Sequence, residues 1–177
     1  MATCKSKGAA ATLLSCQHGD WHPLRAAASH SCVRVEHRRL ARMTTTNISV
    51  IRLNESDKVS FAENSYYQPI LKGEAGGFPI FTGIQTAQAG YQTQPHQHPY
   101  VEVLHILEGS AEAWLVGEED SKVCLMPGDT ITLPANRLHI FRVVGEETLR
   151  LLGTHLSGQR IVKYDDGTQS VMGKVED

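Results

Sequence analysis

Between Asn47 and His155 the chain is a succession of short apolar runs cut at near-regular intervals by turn residues, and this restricts it to a β architecture. The runs are ISVIRL, FPIFTGIQTAQ, VEVLHIL, AEAWLV, KVCLM, TITLP, HIFRVV and TLRLLGTH, parted by EGS, GEED, PGD, PAN and GEE. Runs of this length bounded by Gly, Pro, Asn and Asp read as strands, and a series of them without helical periodicity reads as an all-β sandwich or barrel. Some eight strands in a row predict an antiparallel barrel or jelly roll, because closing or doubling a sheet hides its edges. Pro127 and Gly128 suit the centre of a type II turn flanked by Met126 and Asp129, proline presetting φ and glycine accepting a positive one. Glu108, Gly109 and Ser110 are expected to close a hairpin between VEVLHIL and AEAWLV.

The charge distribution separates a leader from a body. Residues 1–42 hold seven Lys/Arg against Asp20 and Glu36, a net of +5, so the rest of the chain carries −7 of the total of −2. An acidic body disfavours a nucleic-acid partner, since phosphate binding relies on clustered basic side chains. No apolar run approaches the roughly 20 residues that a membrane helix needs, so no membrane partner is expected. The leader has no sustained periodicity, and its longest apolar stretch, AAATLL, is too short for a secretory signal. Its Arg and Ser would suit organellar targeting, but Met43 followed by TTTN would equally serve as a start. We expect residues 1–42 to stand outside a single domain spanning 43–177, in a cytoplasmic protein unless the leader directs it to an organelle. Cys4, Cys16 and Cys32 fall in the leader, where the His and Cys spacings match no usual zinc pattern. Cys124, alone in the body, cannot bridge within it and is expected to be a small buried hydrophobe.

The stretch GYQTQPHQHPYVEVLHILEG, residues 90–109, interrupts the apolar runs with polar groups. On a strand, His96 and His98 project from one face about 6.6 Å apart, so both can converge on one ion. A straight strand would place Glu102 roughly 20 Å from His96, far beyond metal bonds of about 2 Å. Pro99 lacks a backbone N–H and restricts its predecessor, making His98-Pro99-Tyr100 a reversal from which Glu102 can face the histidines.

This stretch resembles the first motif of the cupin superfamily, in which glycine, five residues, HxH, three or four residues, glutamate, six residues and glycine follow in order. Gly90, His96, His98, Glu102 and Gly109 match every fixed position. The second motif finds Gly128, Pro134 and His139 in register, with Asn136 in place of a glycine and Val143 in place of the final asparagine. Asparagine tolerates left-handed backbone better than most residues, so the first departure is mild. The resemblance covers about residues 78–155 and implies a double-stranded β-helix, the cupin jelly-roll barrel. It also implies that His96, His98, Glu102 and His139 bind one divalent metal, and that the chain is a homodimer.

Three imidazoles and one carboxylate suit Fe(II), which we favour, or Mn, Zn, Ni or Cu. A +2 ion with one carboxylate leaves +1 at the centre, suited to anionic oxygen and hence to an oxygen-bearing small-molecule substrate. The expected activity is that of a dioxygenase, with a cupin isomerase or decarboxylase and a non-catalytic small-molecule-binding or sensory cupin as alternatives. His105 has the opposite parity to Glu102 and should face outward, His155 could reach the barrel mouth, and Gln92 and Gln94 share the parity of His96 and could line a pocket. Tyr91, Tyr100 and Trp114 read as packing or interface residues, and Arg137 and Arg142 as turn and surface residues. The outer-face set Val101, Val103, His105 and Leu107 is mainly apolar and calls for a cover, to which Ile161 and Val162 of the tail could contribute.

Overall fold

The computed structural model describes residues 48–173; the leader expected at 1–42 lies outside them. Twelve strands in two sheets build the described region. The first sheet has the order β1 (Val59–Ala62), β2 (Ser65–Lys72), β3 (Phe81–Ala87), β10 (Leu149–His155), β5 (Glu102–Glu108) and β8 (Thr130–Leu133). The second has the order β12 (Gln169–Met172), β11 (Arg160–Tyr164), β4 (His96–Gln97), β9 (His139–Val144), β6 (Ser110–Leu115) and β7 (Val123–Leu125). Every pairing is antiparallel, which gives the expected all-β jelly roll. Helical structure among the described residues is confined to three short 3-10 turns.

Alternation along the central strands divides the interior into an apolar end and a polar end. On β5 the inward residues are Glu102, Leu104 and Ile106, on β9 His139, Phe141 and Val143, and on β10 Leu149, Leu151, Gly153 and His155. The antiparallel register places His155 opposite Glu102 and Leu151 opposite Ile106, so polar termini meet at one end and apolar residues at the other. The leucine end joins Ala111, Ala113, Leu125, Leu133 and Tyr91 in one buried core. Each fully buried Leu contributes about 1.5–3 kcal/mol relative to exposure, enough in sum to hold the polar end in place.

Several expectations are corrected by this topology. VEVLHIL and AEAWLV do not form a hairpin: β5 pairs with β10 and β8, whereas β6 pairs with β9 and β7, so Glu108-Gly109-Ser110 carries the chain from one sheet to the other. ISVIRL is not a strand, because no neighbour pairs with it, and Ile48 and Val50 remain 98% and 72% exposed. Cys124 is exposed on β7 rather than buried. Ile161 and Val162 belong to β11 in the second sheet, with Val162 buried inside, so they do not cover the outer face of β5. Pro127-Gly128 does form the expected turn: the Asp129 N–H donates to the Met126 carbonyl at 3.0 Å, and Gly128 has φ +95°. No helix among the described residues is long and apolar enough to cross a membrane.

The crossing at Gly109 depends on glycine for two reasons. Its φ is +73°, and a Cβ there would lie 2.6 Å from the Thr148 carbonyl oxygen and 2.9 Å from the Leu149 Cα, both backbone atoms that cannot swing away. We predict that Gly109→Ala destabilises the fold by about 1–3 kcal/mol, the range for a strained left-handed residue, as read from urea unfolding midpoints. A change of a few tenths of a kcal/mol would show that the crossing relaxes freely.

Candidate metal centre

The reversal at His98-Pro99-Tyr100 is the step that assembles the site. β4 leaves the second sheet with His96, and after Pro99 the chain enters the first sheet at Glu102, so the carboxylate faces the histidines across the interior. The loop before β9 is tied to the same reversal, because the Asn136 N–H donates to the His98 carbonyl at 2.7 Å. Asn136 adopts φ +56°, the left-handed conformation for which asparagine is suited. His139 then pairs directly with His96 across β9 and β4, their ring centroids 4.4 Å apart.

All four expected ligands are buried, and one donor atom from each of His96, His98, Glu102 and His139 lies within 4.8 Å of the others. The backbone sets their tautomers. Nδ1 of His96 faces the Gln94 carbonyl at 2.8 Å, Nδ1 of His98 the Ile161 carbonyl at 2.6 Å, and Nδ1 of His139 the Arg137 carbonyl at 2.9 Å. A carbonyl only accepts, so each Nδ1 carries the proton and each Nε2 presents a lone pair to the interior. Glu102 Oε2 lies 3.1 Å from Nε2 of His98 and 3.4 Å from Nε2 of His139. Both of those nitrogens are buried without a hydrogen-bond partner. Electron pairs aimed at one another in a dry interior repel, and a cation between them turns that repulsion into coordination. The donor set therefore fits a divalent ion.

Electrostatics keep His96 and Glu102 in their ligating forms. Burial depresses the His96 imidazole to about 3, with His139 adding in the same direction and Glu102 opposing. Glu102 is raised by burial but lowered further by the histidines that face it, His98, His155 and His139, so its carboxyl lies well below the usual carboxylate range.

His155, expected only to reach the barrel mouth, is 1% exposed and directs Nε2 at Glu102 Oε1, 3.4 Å away. It thus faces the carboxylate oxygen that does not point at His98 and His139. Burial lowers its imidazole to about 3, against the opposing pull of Glu102.

A cavity of about 240 Å³ opens beside the cluster, lined by His96 and Glu102, by Gln85, and by Arg160, Val162 and Tyr164 of β11. Gln92 and Gln94 also line it, as their parity implied, and both are exposed at its rim. His105 faces away, as expected, with Nδ1 2.8 Å from Thr130 Oγ1. Arg137 pairs with Glu118, and Arg142 pairs with Glu112 at 2.7 Å while lying over the Trp114 ring, so both serve the surface. Tyr100 packs parallel to His98 with centroids 5.7 Å apart, and its hydroxyl accepts the Ile161 N–H at 2.6 Å; burial pushes that hydroxyl up to about 12.

Sequence reasoning missed Arg160, Tyr164 and the Ile161 carbonyl, all on β11. The available signal was the alternation in RIVKY, whose inward positions are Arg160, Val162 and Tyr164. A charged residue at the head of a five-residue run concealed it.

Residues 83–155 match the family described as "Cupin domain". That match, which includes all four residues of the cluster, makes this part of the chain similar to cupin domains. No curated protein matches it in sequence. Among solved structures it is similar to KdgF from Halomonas sp., at 20% identity and a TM-score of 0.52, over 63% of this chain and 96% of that one. A cupin-like protein from Thermotoga maritima aligns at 21% identity and a TM-score of 0.53, over 67% and 87% of the two chains. Oxalate decarboxylase from Lactobacillus farciminis, in its formate complex, aligns at 17% identity and a TM-score of 0.57, over 65% of this chain and 35% of that one. At these identities the likeness is one of fold.

The depressed imidazoles carry a pH signature. His96 and His155 lie near 3 in the fold against 6.5 ordinarily, so the unfolded chain binds more protons between those values. Stability of the metal-free protein is full above about pH 6.5 and falls as pH drops toward 3, by up to about 1.4 kcal/mol per pH unit for each histidine. Below its ordinary 4.5, Glu102 adds to the loss in the same direction. Urea midpoints between pH 7 and 4 measure this, and His155→Phe should remove one histidine's share of the slope between pH 6.5 and 4.5. A flat profile in that window would contradict the buried neutral imidazoles.

Proposed function

We propose that this chain is a metal-dependent enzyme acting on an oxygen-bearing small molecule, with His96, His98, Glu102 and His139 as ligands of one divalent ion. The carrying observation is the pair of buried, unpartnered Nε2 atoms of His98 and His139 aimed at the same Glu102 oxygen. The adjoining cavity supports access for a second molecule, because it is lined by two members of the cluster, His96 and Glu102. Four protein ligands leave up to two positions of an octahedral ion for substrate oxygen, dioxygen or water.

The leading reaction class is a dioxygenase at Fe(II), and the second is isomerisation or decarboxylation of an oxo-acid at Mn, Zn or Ni. His96, His98, Glu102 and His139 would hold a divalent ion, which would supply Lewis-acid charge to an anionic oxygen. The chain's own residues orient and exclude. The carbonyls of Gln94, Arg137 and Ile161 fix the three imidazoles, and His155 stands behind the carboxylate of Glu102. Val162, Tyr91 and Phe141 give the cavity apolar lining that limits water. The second reading gains support from Arg160, whose guanidinium adds positive charge to the same cavity and favours substrates that develop or carry negative charge.

Two measurements test this reading. Elemental analysis of the purified protein beside His96→Ala should find a divalent metal in the first and most of it lost from the second; equal content in both would overturn the ligand assignment. With metal loaded, oxygen consumption separates the reaction classes: metal-dependent uptake supports the dioxygenase, and product or carbon dioxide without uptake supports the isomerase or decarboxylase. Binding without turnover would instead identify a sensory or storage protein.

A further inference from the structure

Arg160 heads β11 and is 9% exposed, yet none of the ion pairs among the described residues involves it. Its Nε is buried without a hydrogen-bond partner. The carboxylate that shares its cavity, Glu102, directs its oxygens at His98, His139 and His155. The guanidinium is instead held by rings, lying 4.6 Å from the Phe61 centroid and 5.4 Å from that of Tyr67. Those rings stack on each other at 5.7 Å, and Tyr67 stacks on Phe81 at 6.1 Å. Tyr67 reaches this position because Gly83 has no side chain: a Cβ there would meet its ring at 2.6 Å. The fold thus builds an aromatic bracket for a cation that lines the cavity.

A buried charge without a partner is strongly unfavourable, and ring faces return only part of the lost hydration. What an arginine fork matches is a planar anion taken by two parallel N–H donors. The nearby cavity holds about 240 Å³, below the roughly 300–1,000 Å³ of pockets for drug-sized ligands, so its occupant is small. Glu102 already offsets one charge of a divalent ion, and Arg160 adds another positive charge that no ion pair among the described residues balances.

We propose that Arg160 is the carboxylate-binding residue of this cavity, and that the substrate is a small oxo- or hydroxy-carboxylate. Its carboxylate docks against the Nη–H donors that the guanidinium presents to the cavity, with its other oxygens directed toward the metal position beside His96. This assignment deepens the metal-dependent reading of the site and rests on it for the reaction, but the binding of an anion at Arg160 is testable without metal. Tyr164 and Gln85, which line the same cavity, are placed to contact the remainder of such a molecule.

The test uses metal-free protein, with succinate as probe and succinamide as its uncharged counterpart, in wild type, Arg160→Met and Arg160→Lys. Methionine keeps the length and the apolar stem without the charge. Titration calorimetry should show succinate affinity falling roughly tenfold to a hundredfold in Arg160→Met, the usual worth of charge-assisted bonds, with partial retention in Arg160→Lys. Succinamide should bind none of the three appreciably. Without ligand, Arg160→Met should melt at or above the wild-type temperature, because an unpaired buried charge has been removed. Succinate affinity equal in wild type and Arg160→Met, no succinate binding by wild type, or a melting temperature well below wild type would each overturn the assignment, the last by giving Arg160 a structural role. Metal content after reloading should be the same in wild type and Arg160→Met; metal absent from wild type would defeat the metal reading alone, and the succinate comparison would still decide the arginine.

Discussion

The constraint on which this structure turns is the confrontation of electron pairs inside the barrel. Imidazole lone pairs from His98 and His139 meet a Glu102 oxygen at 3.1 and 3.4 Å, and both nitrogens are buried without a hydrogen-bond partner. Such an arrangement exists only because the backbone enforces it from behind. Three carbonyls take the Nδ1 protons and leave Nε2 no option but to face inward. The rest of the fold can be understood as the support required to keep those carbonyls and that carboxylate where they are.

That support is apolar and lies at the other end of the same strands. β5, β9 and β10 each begin or end with a polar site residue and continue inward with Leu, Ile, Phe or Val. Strand geometry makes this possible without bends, since every second residue shares a face and the antiparallel register lines up like with like. Burial of the core therefore fixes strand positions, and strand positions fix the ligand atoms to within the tolerance that metal coordination demands. The tail strand β11 completes the arrangement in three ways: the Ile161 carbonyl holds His98, the Ile161 N–H holds Tyr100, and the side chains of Arg160 and Tyr164 line the cavity.

Much of this was legible in the sequence. The period of the apolar runs announced an all-β chain, HxH with a glutamate past a proline announced the cluster, and Pro127-Gly128 announced a turn. Those features are local, and local rules suffice for them. The hairpin expected at Glu108-Gly109-Ser110 failed because a tight turn reports that the chain reverses, not which sheet it reverses into. ISVIRL failed as a strand because alternation says nothing about the presence of a neighbour. β2 was missed because Pro69 sits at a register shift in its pairing with β3, and β11 because its charged residues mask a short inward stripe.

By itself the sequence determined the fold class and the need for a reversal between His98 and Glu102, because each follows from residue spacing and backbone chemistry over a few positions; His139 entered only as what the cupin resemblance implies. Only the tertiary structure decided that His155 stands behind Glu102, that carbonyls 2 to 63 positions away set the imidazole tautomers, and that Arg160 is buried with no ion pair among the described residues. These depend on which strands become neighbours. Strand pairing is fixed by burial of the whole core, so no window of sequence around His155 or Arg160 contains the information.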